Sequence, residues 1–282
     1  MLMPGAFLTF AVIVFPLAVA LYVSLLDLDQ YTFRQWVRAP FIGLGNYISA
    51  VRESNLLHAV WVSVSNGVIV TLLTLPIGVA AALATQDSFR GRGLLRSVFL
   101  VPYVLPAFVV GTVWRVILQP DGVAVDVLGS LGIHTSLWLN GPLSFWALAV
   151  VQLWASWPLV YLMTLSGLQS IEPAIQEAAA IDGAGWWVRL RYVVFPHLKG
   201  AVSLGLLIGF LHSVNSFTLP FVLFGVPSPR DVEVLPVLTY VESFQNFRFG
   251  ISAAMAVFSV VLIAIPLAFY LRAIRLDVGE KG

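Results

Sequence analysis

The chain has 282 residues, of which 59% are hydrophobic and 10% charged, with a net charge of +1 and no cysteine. A soluble domain carries about 25% charged residues and could not hide so much apolar surface from water, so an ordinary soluble fold is excluded and lipid becomes the natural solvent. The near-neutral charge argues against a basic nucleic-acid-binding face, and the lack of cysteine removes disulfides, thiolate metal sites and cysteine nucleophiles.

A helix crosses a bilayer with about 20 mostly apolar residues, and the gaps between charges supply six candidates. The first, 4–26, lacks the basic region and small-residue cleavage site of a secretory signal, so it reads as a retained helix. The second, 58–85, lies between Glu53 and Asp87, and the third, 95–118, carries Pro102 and Pro106. From 127 to 171 the only ionisable side chain among Asp, Glu, Lys, Arg and His is His134, a run too long for one helix. Turn residues within 129–142 therefore start the fourth span at 143, ending near 168. The fifth and sixth are 200–224 and 249–272. The expected fold is an all-α polytopic membrane protein forming one domain, 1–282.

Loop charge orients the spans. Arg90, Arg92, Arg96, Arg189, Arg191, Lys199, Arg272, Arg275 and Lys281 fall on one side, which nets +3; the other side, with Arg34, Arg38, Arg52, Arg115, Arg230 and Arg248, nets −2. The first side is expected to be cytoplasmic, with both termini on it. Pro16, Pro76, Pro102, Pro106, Pro158, Pro220 and Pro266 sit within spans, and each frees a carbonyl that needs another partner in lipid. The histidines His58, His134, His197 and His212 show no metal-ligand spacing.

The longest loop on the cytoplasmic side is 169–199. Pro173 suits the first position of a helix, and Ile171, Ala174, Ile175 and Ala178 repeat at helical spacing on one face. Asp182-Gly183 is a stop, with Gly183 free to take positive φ. A second helix is expected from 185 to 194, ended by Pro196. The segment reads either as an amphipathic linker at the membrane surface or as a docking element.

Glu177-Ala178-Ala179, then Asp182-Gly183-Ala184, then Phe195-Pro196 resemble the EAA loop of the permease subunits of binding-protein-dependent ABC importers. Gly43-Leu44-Gly45-Asn46-Tyr47, Arg90-Gly91-Arg92-Gly93, the run from Phe99 to Pro106, the run from Gly167 to Ile171, and Phe247-Arg248-Phe249-Gly250 are similar to the carbohydrate-uptake branch of that family. Members often have Leu-Pro where this chain has Phe195-Pro196, and a later proline where it has Gly200. The resemblance implies a coupling helix that docks in a cleft of a separate ATPase, with Glu177, Ala178, Ala179, Asp182, Gly183 and Ala184 as its coupling residues. It also implies a heterodimer with a second, homologous permease, two ABC ATPase subunits that hold ATP and Mg, an extracytoplasmic substrate-binding protein, and a bacterial or archaeal cytoplasmic membrane. No phosphate-cradling G-x-x-x-x-G-K-[ST] loop occurs in the chain, and no cofactor is expected in it.

A sugar pathway calls for aromatic faces and a few polar groups. Tyr103, Trp154, Ser213, Asn215, Ser216, Phe217 and Phe221 are the candidate pathway residues, with Trp114, Trp157, Tyr161, Tyr240, Gln152 and Ser156 as further ones. A polar cluster inside an apolar span is costly toward lipid and should face protein. The competing class is a secondary, ion-coupled carrier, which would usually place acidic residues inside its spans; this chain has none securely there. An intramembrane enzyme would need paired acids, H-E-x-x-H or G-x-S-x-G, and these motifs do not occur.

Overall fold

A computed structural model describes residues 3–132 and 137–279; His134 and Lys281 lie outside the described residues. Helix α1, Met3–Thr9, passes through a π-helical turn, Phe10–Val14, into α2, Phe15–Val23. Short α3, Gly45–Arg52, precedes the long α4, Leu56–Ala84. Next come α5, Arg92–Val104, α6, Ala107–Ile117, α7, Val123–Ser130, and α8, Ser144–Gln169. Then α9, Pro173–Ile181, and α10, Trp186–Arg189, lead through a second π turn, Leu190–Val194, into α11, Phe195–Val214. The chain closes with α12, Thr218–Phe224, α13, Leu235–Phe244, and α14, Phe249–Gly279.

Among the described residues four helices are long and apolar enough to cross a bilayer: Leu56–Ala84, Ser144–Gln169, Trp186–Val214 and Phe249–Ile274. The third expected span is broken: α5 and α6 meet at 92°. Pro106 explains the break, because its ring disfavours α geometry in the residue before it, and Leu105 is extended at φ −68°, ψ 136°. The first expected span appears as a shorter apolar helix, Phe7–Val23. Pro196 does not end the helix before it, contrary to the sequence expectation. Phe195 stays helical at φ −58°, ψ −42°, and the wide π turn ahead gives the ring room past the Tyr192 carbonyl, where a proline in a regular α-helix would clash.

The chain divides into two compact units, Met1–Ser63 with Gly225–Gly282, and Val64–Phe224. In the first, the residues of two sequence motifs about 200 positions apart become one contact. The Asn46 amide donates to the Ser24 and Leu26 carbonyls at 2.9 and 2.7 Å, while the Gly250 N–H donates to the Leu28 carbonyl at 2.9 Å. A Cβ on Gly250 would stand 2.4 Å from the Leu26 oxygen and 2.7 Å from Asn46 Nδ2. Close by, Tyr47 and Ser24 share a hydroxyl contact of 2.7 Å, and Leu56, Ala59, Leu235, Leu238 and Met255 form a buried core. Gly250→Ala is therefore expected to overpack this contact by about 1–3 kcal/mol. Thermal unfolding of the detergent-solubilised chain should show a lowered midpoint. Gly200→Ala, where a Cβ meets nothing within 4 Å, should not lower it.

In the second unit α8 is the central element, packed against α5, α6, α11 and α12. Small residues let backbones approach closely, as helix packing in lipid requires. A Cβ on Gly78 would lie 2.8 Å from the Tyr161 nitrogen, and one on Gly167 would lie 2.7 Å from Leu198. Tyr161 is fully buried, shares a 3.1 Å hydroxyl contact with Thr85, and meets Phe99 edge to face at 5.6 Å. These contacts give Tyr161 a core role beside Leu165, Leu168 and Leu198.

Candidate functional site

The loop 169–199 is tied to the body at both ends and bare in the middle. Ile171 is 5% exposed and belongs to the core of the second unit; Leu190 and Leu198 are buried at the other end. Between them α9 begins at Pro173 and ends in a left-handed glycine cap. Gly183 has φ +74°, the Ala184 N–H returns to the Ala179 carbonyl at 3.0 Å, and the Asp182 N–H bonds the Ala178 carbonyl at 3.0 Å. This six-to-one bond across a positive-φ residue is the Schellman arrangement.

Glu177, Ala178, Asp182 and Gly183 are exposed, and Ala179 and Ala184 are half-buried. The face expected to be apolar is uncovered beyond Ile171: Ala174, Ile175 and Ala178 are all exposed, and Ile181 is 86% exposed. The segment is thus a short helix whose flanks are held by the body, with an open apolar face and an acid beside it.

The second feature is a cavity of about 410 Å³ inside the second unit, lined by α5, α6, α8, α11, the 215–217 break and the start of α12. Two interrupted helices frame it. The α5–α6 elbow supplies Pro102, Tyr103, Leu105, Ala107 and Val110, and the end of α11 supplies Gly209, His212 and Ser213, followed by Ser216. Pro106 has no N–H, so the Pro102 carbonyl lacks the partner a continuous helix would give it. Irregular backbone at membrane depth is tolerated where it is buried in protein or lines a cavity, and discontinuous helices are where transporters place their binding groups.

Gln152, 4% exposed, stands at the centre of this arrangement. Its Oε1 accepts a short hydrogen bond from Ser213 Oγ, and its Nε2 has no hydrogen-bond partner. An unpartnered buried donor costs about 1–3 kcal/mol, so a hydroxyl-bearing ligand that accepts from it would recover that cost. Among the described residues no Asp, Glu, Lys or Arg lines the cavity.

Of the sequence candidates, Tyr103, Gln152, Ser156, Ser213 and Ser216 come together here. Trp154 lies in an adjoining apolar pocket of about 230 Å³, where it meets Trp114 edge to face at 5.9 Å. Phe217 and Phe221 stack on each other at 5.0 Å, and neither lines the larger cavity. Asn215 caps the C-terminus of α11, is exposed, and does not line the cavity either. His212 and Gly209 were missed from the sequence. The polar step from His212 to Ser213 within an apolar run signals the first, whereas nothing in the sequence distinguishes Gly209 from the helix's other glycines.

Residues 74–275 match the family described as binding-protein-dependent transport system inner membrane component. The trehalose/maltose transport system permease protein MalF of Thermococcus litoralis is 28% identical over 83% of this chain and 79% of its own length. The sulfoquinovosyl glycerol transport system permease protein SmoG of Agrobacterium fabrum is 29% identical over 98% of this chain and 89% of its own. In fold, the chain superposes on one from the crystal structure of a bacterial ABC transporter that imports the acidic polysaccharide alginate. The TM-score is 0.82 at 19% identity, covering 98% of this chain and 93% of that one. An ion-coupled carrier finds no support in these likenesses. The family match over most of the chain, together with the apolar helices, makes this protein a multi-pass permease subunit of the binding-protein-dependent transport system inner membrane component family.

Proposed function

We propose that the chain is one of two homologous membrane halves of an ATP-driven importer for a sugar or sugar derivative. The cavity between the two interrupted helices carries this reading. Its volume falls in the range of small-molecule sites, and it offers Gln152, Ser156, Ser213 and Ser216 to hydroxyl groups beside the Tyr103 ring. Relatives named for trehalose, maltose and sulfoquinovosyl glycerol support a carbohydrate substrate.

In this reading Phe7–Val23 and the bent α5–α6 pair join the four long helices as the first and third of six spans, with both termini cytoplasmic. The α9 face enters a cleft on an ATPase subunit, and two such subunits hold ATP and Mg. Their closure draws the docked loops together and rocks the permease pair toward the outward-open state. A loaded external binding protein drives the same shift by binding that state better than the inward one.

Co-expression with the ATPase and the partner permease, followed by reconstitution into vesicles with the binding protein, tests the proposal. Radiolabelled sugar should accumulate only when ATP reaches the cytoplasmic face, and the isolated chain should hydrolyse none. ATP turnover by the isolated chain, or uptake driven by an ion gradient without ATP, would overturn it.

A further inference from the structure

The stretch from Trp186 to Lys199 presents two chemically distinct sides. Leu190 and Leu198 are buried, and Val193 and Val194 pack against the core of the second unit. Outward stand Trp186 and Trp187, 66% and 67% exposed, Tyr192, 73% exposed, and Phe195, 42% exposed. Arg189, Arg191 and Lys199 are interleaved with these aromatics, and no acidic residue occurs between Asp182 and the end of the stretch. Arg191 is exposed, with its guanidinium 5.7 Å from the centre of the Tyr192 ring.

The same stretch opens the continuous apolar helix Trp186–Val214, only 11% of whose most apolar window is buried within the chain. A hydrocarbon core takes about 20 helical residues. Counted back from Val214, it begins near Phe195; taken from the uncharged run in the sequence, it begins after Lys199. Either boundary leaves Arg191 and Tyr192 on the polar side of the hydrocarbon. The π turn Leu190–Val194 sits at this level and holds both Arg191 and Tyr192.

We propose that the outward face of residues 186–199 binds the headgroups of anionic phospholipids in the leaflet next to the docking loop. The Arg191 guanidinium holds the phosphate, and the exposed aromatics are seated at the interface. Positive charge beside an aromatic belt is the combination that anionic membrane surfaces attract. The segment lies directly between α9 and the first hydrocarbon-embedded turn of α11, so lipid bound there fixes the base from which the docking helix projects.

The test uses the full chain, assembled with its partner subunits in phosphatidylcholine vesicles. The chain contains no cysteine, so Phe195→Cys, labelled with bimane on the purified chain before assembly, carries the only label in the complex. At equal mole fraction, 5-doxyl phosphatidylglycerol should quench the label about threefold more strongly than 5-doxyl phosphatidylcholine. Arg191→Gln should bring the two lipids level without changing the phosphatidylcholine value, whereas Arg191→Lys should keep the preference. Equal quenching in the complex with Arg191 intact overturns the proposal. So does a preference that survives Arg191→Gln, a loss with Arg191→Lys as complete as with Arg191→Gln, or a label that neither lipid reaches. ATP-driven uptake by the same vesicles reads the permease assignment separately.

Discussion

Gly209→Leu is expected to abolish uptake while leaving the chain folded in the membrane. Gly209 lines the large cavity, yet a Cβ placed on it meets nothing within 4 Å, so a leucine there grows into open space. The change also replaces a poor helix former by a good one, worth about 0.8–1.0 kcal/mol in an exposed helix interior, so the fold should not suffer. Gly205, one turn earlier on α11, is the matched contrast: its Cβ would press on Met163 at 3.0 Å, and Gly205→Leu should lower stability. Transport assays and thermal unfolding on the two variants separate the roles. At least a tenfold loss of uptake at unchanged unfolding midpoint is expected for Gly209→Leu. Normal uptake with the cavity filled would show that the substrate passes elsewhere.

This cavity illustrates where the sequence stops being informative. Ser213 and Ser216 are legible as costly polar residues inside an apolar span, Gln152 as a polar group and Tyr103 as an aromatic face suited to a sugar. Asn215 and Phe217 are within two residues of Ser213 or Ser216 but do not line the cavity. Asn215 lies about 200° round the helix from Ser213, whereas Phe217 follows the break after Val214, which helical spacing does not reveal. The two prolines make the same point: Leu105-Pro106 bends the chain through 92°, whereas Phe195-Pro196 sits in a continuing helix because a π turn precedes it. Proline geometry alone permits both outcomes, and packing against neighbouring helices selects between them. Asn46 and Gly250 are a third case, since their motifs were recognisable but the hydrogen bonds that demand them cross about 200 residues of sequence. The loop 169–199 is the most legible element, because its helix start, apolar face and glycine stop are all local.

Gly183→Val is expected to uncouple ATP hydrolysis from uptake, more completely when combined with Glu177→Lys. Gly183 sits at φ +74°, and a Cβ built on it would meet nothing within 4 Å among the described residues, so the penalty for valine is conformational rather than steric crowding by neighbours. Left-handed geometry costs an L-residue about 1–2 kcal/mol, and a β-branched side chain stands at the unfavourable end of that range. The chain can escape by leaving positive φ, which breaks the Ala184-to-Ala179 bond and swings α9 away from the line set by α10.

Glu177→Lys acts on the same exposed face by reversing its charge, and mispaired charges across a desolvated interface cost several kcal/mol. Neither position lies in a span, so both variants should insert normally. Copurified ATPase and uptake per ATP hydrolysed are the readouts. Gly183→Ala serves as the graded control, since alanine pays the backbone cost without the branched side chain and should be intermediate. Full ATPase binding with wild-type uptake in the double variant would reduce the loop to a linker at the membrane surface.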